Sequence, residues 1–226
     1  MAKRGWLTGF PNFNQPFVQI HNNKLNISGQ IIPIKHLTID LNAERNYSNN
    51  LSENYRIQNQ NYIPLNTNEY GNFGMSTILI RTAFSGGTGI VNSNFQKFRN
   101  NRLVIANRLA GQQVGSDGNR DENGFPEGFS KNHQTVLVAA FLSAYSGTDP
   151  NKIAFDPIQS TPLPNWNIKY TGLIKVKSLA RIFNRFSITH GYRSSYTLTN
   201  YQTSLEYDPT KPLLKDRLGN YMTSRF

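Results

Sequence analysis

Apolar and polar residues alternate most strictly between Leu37 and Ser48, in the stretch LTIDLNAERNYS. Odd positions carry Leu37, Ile39, Leu41, Ala43 and Tyr47, interrupted by Arg45. Even positions carry Thr38, Asp40, Asn42, Glu44, Asn46 and Ser48. Successive side chains of a strand point to opposite faces, so this period of two predicts a strand with one apolar and one hydrated face. A strand of a soluble sandwich has the same pattern. The length of the run and its polar face favour a transmembrane barrel, where outward apolar and inward polar residues alternate over about 9–11 residues. Tyr47 is then expected in the aromatic girdle at the membrane interface.

A second long strand is expected over Phe186–Leu198. Phe186, Ile188, His190, Tyr192, Ser194, Tyr196 and Leu198 share one face, and Ser187, Thr189, Gly191, Arg193, Ser195 and Thr197 share the other. Beyond Leu198 the parity flips, so that Tyr201, Thr203, Leu205 and Tyr207 oppose Gln202, Ser204 and Glu206. A two-residue turn at Thr199–Asn200 or a bulge within one strand would each produce that flip. Weaker strands are expected over Phe17–His21, Lys24–Gln30, Ser52–Gln58, Phe73–Phe84 and Asn165–Leu173. Ser85–Gly89 reads as a turn or loop.

Two segments change period. Between Asn92 and Gly111, Phe95, Phe98, Ile105, Ala106 and Leu109 fall near helical spacing, with Asn92 or Ser93 as N-cap and Gly111 as C-cap. Lys131–Tyr145 predicts a shorter, more buried helix closed by Gly147. Leu179–Phe183 reads as one or two helical turns between strands. Helices between long strands imply large loops on a barrel scaffold, or an α+β domain.

Composition narrows the class. No run approaches the roughly 20 apolar residues of a membrane-spanning helix. The 29 asparagines and the 12% aromatic content suit strands with one wet face. With no cysteine, neither disulfides nor thiolate zinc sites are available. The net charge of +11 raises an anionic partner, but the basic residues are scattered rather than gathered in a run, which argues against nucleic acid. The N-terminal Met-Ala-Lys-Arg-Gly-Trp lacks the apolar stretch of a signal peptide. With the barrel reading, this makes an internal segment of a longer chain the expectation.

Candidate chemistry is sparse. Asp117, Asn119, Asp121 and Asn123 alternate like calcium ligands, but Glu122 stands where an EF-hand loop turns on Gly, and Gly128 where it has its bidentate Glu. His21, His36, His133 and His190 have no paired metal-ligand spacing, and His190 reads as a hydrogen-bonded or interfacial ring. Hydrolase, zincin and phosphate-loop motifs are absent. The expectation is a protein that is not an enzyme, with no catalytic residues, no metal and no cofactor.

Five stretches follow one another in a recognisable order: Leu37–Ser48 with Ser52–Tyr55; Asn94–Arg102 with Ile105–Leu109; Val136–Leu137 with Ala140–Tyr145; Pro162–Trp166 with Tyr170–Leu173; and Phe186–Tyr196. They resemble the C-terminal part of the SprA (Sov) family of gliding-motility proteins from Bacteroidota. The resemblance covers roughly residues 10–208. It implies a very large outer-membrane barrel, the translocon of the type 9 secretion system, through whose wide lumen and lateral opening cargo proteins leave. Its implied partners are the remaining strands of the same barrel, secreted cargo proteins, plug or gating proteins, and outer-membrane lipid, with no nucleic acid. This chain is far shorter than such a barrel and would supply only some of its strands.

The expected fold is therefore mainly β, a single segment of a large transmembrane antiparallel β-barrel spanning 1–226, with helical loop insertions near 92–111 and 131–146. Those helices are expected to narrow or shape the pore. The alternatives are a basic β-rich surface module binding polysaccharide or nucleic acid, and a segment of another outer-membrane barrel such as a receptor or porin.

Overall fold

Three long strands follow one another from Phe17 onward: β1 (Phe17–Ile34), β2 (Leu37–Gln58) and β3 (Asn61–Ser76). The computed structural model describes the whole chain except residues 1–3, 11, 12, 14, 60, 84–91, 115–117, 209, 225 and 226. Both pairs are antiparallel, with His36 (φ 73°) and Asn59 (φ 50°) in the left-handed conformation that short hairpin turns use. The expected gaps at Asn22–Asn23 and Asn49–Leu51 do not occur. The β1–β2 ladder runs through them, pairing Asn22 with Ser48 and Gln19 with Leu51. Backbone pairing needs no apolar side chain, so polar interruptions in the pattern did not mark strand ends.

The sheet is completed by β4 (Asn165–Tyr170), β5 (Ile188–Tyr192) and β6 (Ser195–Gln202), all antiparallel to their neighbours. One edge of β2 carries β1. The other edge carries β3 along Arg45–Gln58 and β4 along Leu37–Asn42. Strands β3 and β4, of 16 and 6 residues, thus lie end to end along the 22 residues of β2. Beyond them, β5 pairs β4 and β6 pairs β3, again end to end. The sheet is a four-column meander whose third column is interrupted, and the residues between Ser76 and Asn165 are an insertion into that column.

Side chains take over where the column breaks. Ser76 Oγ accepts the Glu44 N–H at 3.0 Å, the Thr77 N–H reaches the Ser194 carbonyl at 3.1 Å, and Asn165 Oδ1 accepts the Ser194 N–H at 2.8 Å. These bonds satisfy backbone groups that would otherwise lose their ladder partners. The same break divides the expected Phe186–Leu198 strand at Arg193–Ser194. The parity flip after Leu198 is a bulge and not a turn: Leu198 faces Phe73 and Tyr201 faces Gly71, so Thr199 and Asn200 (φ 56°) together oppose Asn72.

The expected strand over Phe73–Phe84 ends at Ser76, and Ile80–Ala83 forms a helical turn, α1. Ser85–Gly89 lies outside the described residues. Helix α2 (Ser93–Gln112) starts at Asn92, whose side chain accepts the Asn94 N–H. It runs through Gly111 to a cap at Gln113, which bonds the Leu109 and Ala110 carbonyls. Helix α3 (Gln134–Ser146) starts three residues later than expected, because Lys131 and Asn132 are held in a turn by the Ser130 hydroxyl. It closes on Gly147 in the left-handed conformation. Asn165–Leu173 is a strand only to Tyr170, followed by a 3-10 turn at Gly172–Lys175 and a short helix, α4 (Lys177–Ala180).

Helices α2 and α3 bury Ile105, Ala106, Val136, Ala139 and Ala140 with Phe125, Phe129 and Ile153. Tyr221, from the C-terminal stretch, completes this core edge-on to Phe129, with centroids 5.2 Å apart. The described residues are 40% strand and 22% helix, and among them the strands do not close into a barrel.

Two expected outcomes follow from this core. Gly128 has φ +79°, and a Cβ there would meet the Tyr221 ring at 2.1 Å, whereas Gly124 at φ +80° has open space around it. Gly124→Ala should cost about 1 kcal/mol through the left-handed backbone alone. Gly128→Ala should cost about 3 kcal/mol or more because Tyr221 must leave the core. Equal losses for the two in chemical denaturation would exclude the Tyr221 contact as the cause.

Buried His133 bonds the Tyr221 carbonyl through Nε2 at 3.2 Å and has no partner at Nδ1. Burial pushes its imidazole below the ordinary value, outweighing the Tyr221 bond and the Asp216 carboxylate. The unfolded chain therefore takes up this proton near pH 6.5, before the native state does. This contribution is complete above that pH and lost as the pH falls through it toward the lowered native value. The denaturation midpoint should fall between about pH 7 and pH 5 in the natural chain and flatten in His133→Gln. A flat natural profile would exclude the buried neutral ring.

Candidate functional site

Register decides which side chains share a surface. Opposed residues of an antiparallel pair lie on the same face, so the pairings can be read across all four columns. Leu37 pairs with Tyr170 and Tyr170 with Ile188; Ile39 with Ile168 and Ile168 with His190; Leu41 with Trp166 and Trp166 with Tyr192. On the other side, Ile31 pairs with Ile39 and Ile27 with Ala43. One face of the half-sheet near the β1–β2 turn is therefore apolar and aromatic across its full width. It is largely open: Ile27, Ile31, Ile34 and Ile188 are each about half exposed and these rows belong to neither hydrophobic cluster, while at its inner limit Ala43 is buried and the Tyr192 hydroxyl accepts the Leu79 N–H at 2.6 Å.

The opposite face of the same rows carries Ser28, Gln30, Thr38, Asp40, Asn42, Asn167, Lys169 and Thr189. Gln30 donates to Asp40 at 2.7 Å across the β1–β2 pair. This face is hydrophilic and carries charges of both signs. A single sheet wet on one side and uncovered apolar on the other is the arrangement expected where hydrocarbon meets one face and water the other. In water alone it would leave a contiguous apolar patch of the kind monomeric soluble proteins avoid.

His190 accepts a hydrogen bond from the Trp166 indole at 3.4 Å, and Trp166 stacks on Tyr192 with centroids 4.5 Å apart. The histidine on the apolar face is thus a hydrogen-bonded ring among aromatics. His21 lies 6.0 Å from the Tyr47 ring, His36 forms the β1–β2 turn and His133 is in the helical core. The structure does not bring the four together.

Along the other half of the sheet the same face is covered. Phe73, Met75 and Tyr201 are buried beneath Ile158, with Tyr47, Tyr196 and Leu198 around them. Arg45, the residue that broke the alternation, donates through Nε to the Gln159 carbonyl at 2.8 Å. Its guanidinium lies over the Tyr47 and Phe73 rings, 5.7 and 5.3 Å from their centroids. A cation on an otherwise apolar face is therefore what fastens the returning 156–160 strap. Tyr47 packs under that strap, stacked on Tyr201, and is not in an open interfacial position. The exposed half instead carries Trp166, Tyr170 and Tyr192.

The helical unit follows its strap. Tyr196 packs against both the α2–α3 core and the Phe73–Met75 cluster, which puts the unit on the apolar side of the sheet. The helices at 92–111 and 131–146 therefore pack on the apolar side of the sheet. The tertiary cause is the Phe73–Met75–Tyr201 patch, whose burial needs a cover on that side.

Of the alternating loop acids, Asp117 lies outside the described residues. Asp121 Oδ1 accepts the N–H groups of Asn123 and Phe125 at 2.9 and 2.8 Å, and Arg120 donates into the loop at the Gly124 carbonyl. The Asp121 carboxylate shapes a turn. No group of three or more His, Asp or Glu suited to a metal occurs among the described residues. A cavity of about 1120 Å³ lies between the strap, α3 and the covered half-sheet, with Glu69 and Asp156 as its charged lining. Among the described residues neither a histidine nor a basic residue lines it. No helix among the described residues is long and apolar enough to cross a membrane, which says nothing of strands. No protein-family model matches this chain, and no curated protein matches it significantly.

Arg45→Met keeps an apolar stem but removes the bond to Gln159 and the stacked charge. It should weaken docking of the 156–160 strap by about 1–3 kcal/mol while leaving the β1–β2 ladder intact. Hydrogen exchange should speed up around Ile158 and Tyr201 and stay unchanged at Ile27 and Leu41. Uniform acceleration over the sheet would show that Arg45 holds more than the strap.

Proposed function

We propose that this chain forms part of the wall of an outer-membrane β-barrel serving as a protein-secretion translocon of the type 9 kind. One observation carries the membrane part: an uncovered apolar face, continuous over four antiparallel columns, backed by a face of polar residues. The stretch Leu25–Ile34 of β1 spans about ten residues, the length a tilted strand needs to cross hydrocarbon. The 22 residues of β2 exceed that requirement, so the covered half and its helical unit stand clear of the bilayer on the outer side of the wall.

The secretion part is supported by the five ordered motifs. Chemically, the polar face suits a passage for protein: Asn42, Asn46, Ser187, Thr189, Ser195 and Thr197 offer hydrogen bonds to water and little apolar surface to hold a passing chain. The outer edge of β1 has no strand partner among the described residues, nor does the outer edge of β5. Exposed edges of this kind seek strands, and in this reading the rest of the barrel supplies them. Secreted cargo, plug or gating proteins and lipid are the remaining partners. A basic soluble module binding polysaccharide or nucleic acid is disfavoured because it would leave the apolar face bare.

These 226 residues contain no cysteine, so each variant places a single thiol within them, and the parent protein without the substitution serves as the labelling control. In cells carrying the full-length protein, Asn42→Cys and Thr189→Cys should react with water-soluble maleimides and crosslink to cargo. Ile27→Cys and Ile168→Cys should react with lipid-phase probes only. Water-soluble labelling of Ile27→Cys and Ile168→Cys would overturn the wall assignment. Labelling as expected without cargo crosslinks at Asn42 or Thr189 would keep the wall and remove the translocon.

A further inference from the structure

We infer that the β4–β5 connection, residues 171–187, is an anchor that lies on the phosphates of anionic lipid headgroups at the rim of the apolar face. The inference rests on the membrane-wall reading above and adds a binding surface to it.

Position comes first. The connection leaves the sheet after Tyr170 and returns at Ile188, which are paired with each other and aligned with Leu37. Both ends therefore sit on the last row of the apolar face. The Thr171 N–H bonds the His36 carbonyl at 2.9 Å, tying the connection to the β1–β2 turn at the same level. Lys35 of that turn adds a further cation at the rim. The segment is locally helical, with a 3-10 turn at Gly172–Lys175 and helix α4, and Gly172 lies close against the Tyr170 ring.

Chemistry comes second. The segment carries Lys175, Lys177, Arg181 and Arg185 and no acid, and the whole stretch from Pro157 to Leu205 has no Asp or Glu. All four cations are exposed, and none forms an ion pair among the described residues. Between them, Val176, Ile182 and Phe183 are 47%, 73% and 42% exposed. A solvated loop would explain the cations but not three uncovered apolar side chains interleaved with them. An interface explains both: apolar side chains enter the acyl boundary while lysine and arginine stems reach the headgroup phosphates. Each cation near an anionic surface is worth roughly a fivefold gain in partitioning.

The test uses the full-length protein, with the rest of its barrel, carrying an environment-sensitive fluorophore on Ile182→Cys, Ile27→Cys or Val114→Cys. The last position is 88% exposed on the helical unit and serves as the aqueous control. Each variant is reconstituted into vesicles of phosphatidylcholine alone and of phosphatidylcholine with phosphatidylglycerol. The Ile27 label should report hydrocarbon in both, and the Ile182 label should report the interface, more strongly with phosphatidylglycerol. Replacing Lys175, Lys177, Arg181 and Arg185 by Gln should remove most of that lipid preference, roughly fivefold per charge, and leave the Ile27 signal unchanged. An Ile182 label that stays aqueous while Ile27 is in hydrocarbon overturns the anchor alone. Equal Ile182 signals in the two lipids overturn phosphate recognition. Shielding of Ile182 in native membranes but not in vesicles assigns the surface to an acidic protein and overturns the lipid assignment. An aqueous Ile27 label overturns the wall reading and the anchor with it.

Discussion

Strand β2 is hydrogen-bonded on both edges over nearly its whole length, and every surface of the sheet inherits its register. Because side chains alternate with a period of two, a slip of one residue between β1 and β2 would exchange the apolar and polar faces. The observed register places Ile27 opposite Ala43 and Ile31 opposite Ile39, and the pairing with β4 places Ile168 and Trp166 on the same side. Each pair alone is an ordinary cross-strand contact. Stacked over four columns, they make one apolar surface and one wet surface.

That constraint also explains how an α-helical unit can be held without disturbing the sheet. The third column breaks at Ser76 and resumes at Asn165, and β2 runs past the gap as an unbroken rail. Ser76 and Asn165 replace the missing ladder bonds with side-chain bonds, so the interruption leaves few unpaired backbone groups. The inserted unit has a core of its own, centred on Ile105 and Val136, and reaches the sheet through Tyr196 and the 156–160 strap. Arg45 is the pivot of this attachment, a charged residue whose hydrogen bond and aromatic contacts are satisfied by folding the strap onto the apolar side.

The two halves of the sheet therefore differ in what covers the same face. Near the β1–β2 turn its outer rows stay open, while from Ala43 and Tyr192 onward the strap and the inserted unit cover it. In the proposed wall, the boundary between them is the boundary between hydrocarbon and water. The cation-rich, acid-free connection between β4 and β5 lies at the opposite rim of the uncovered patch. The apolar band is thus bounded by protein at one end and by lysine and arginine at the other, and both boundaries follow from where the strands end.

Alternation over Leu37–Ser48 determined, from the sequence alone, that β2 is a strand with one polar face, since neighbouring residues suffice to set the period. Helical spacing and caps similarly located α2 and α3 to within a few residues: Gly147 closes α3 as expected, Asn92 is the cap of the two candidates Asn92 and Ser93, and α2 runs past the expected cap Gly111 to Gln113. What lay between local patterns was not legible. Asparagines at 22–23 and 49–50 look like breaks, but the ladder passes through them because pairing is a backbone property fixed by the neighbouring strand. Phe73–Phe84 reads as strand throughout, yet it ends at Ser76, where β4 takes over the edge of β2. Tyr47 and Arg45 could be assigned to a face but not to a role, because the strap that covers them is more than a hundred residues away in the chain. The side of the sheet on which the helices lie was decided by tertiary structure alone: burial of Phe73, Met75 and Tyr201 needs a cover that only a distant segment supplies.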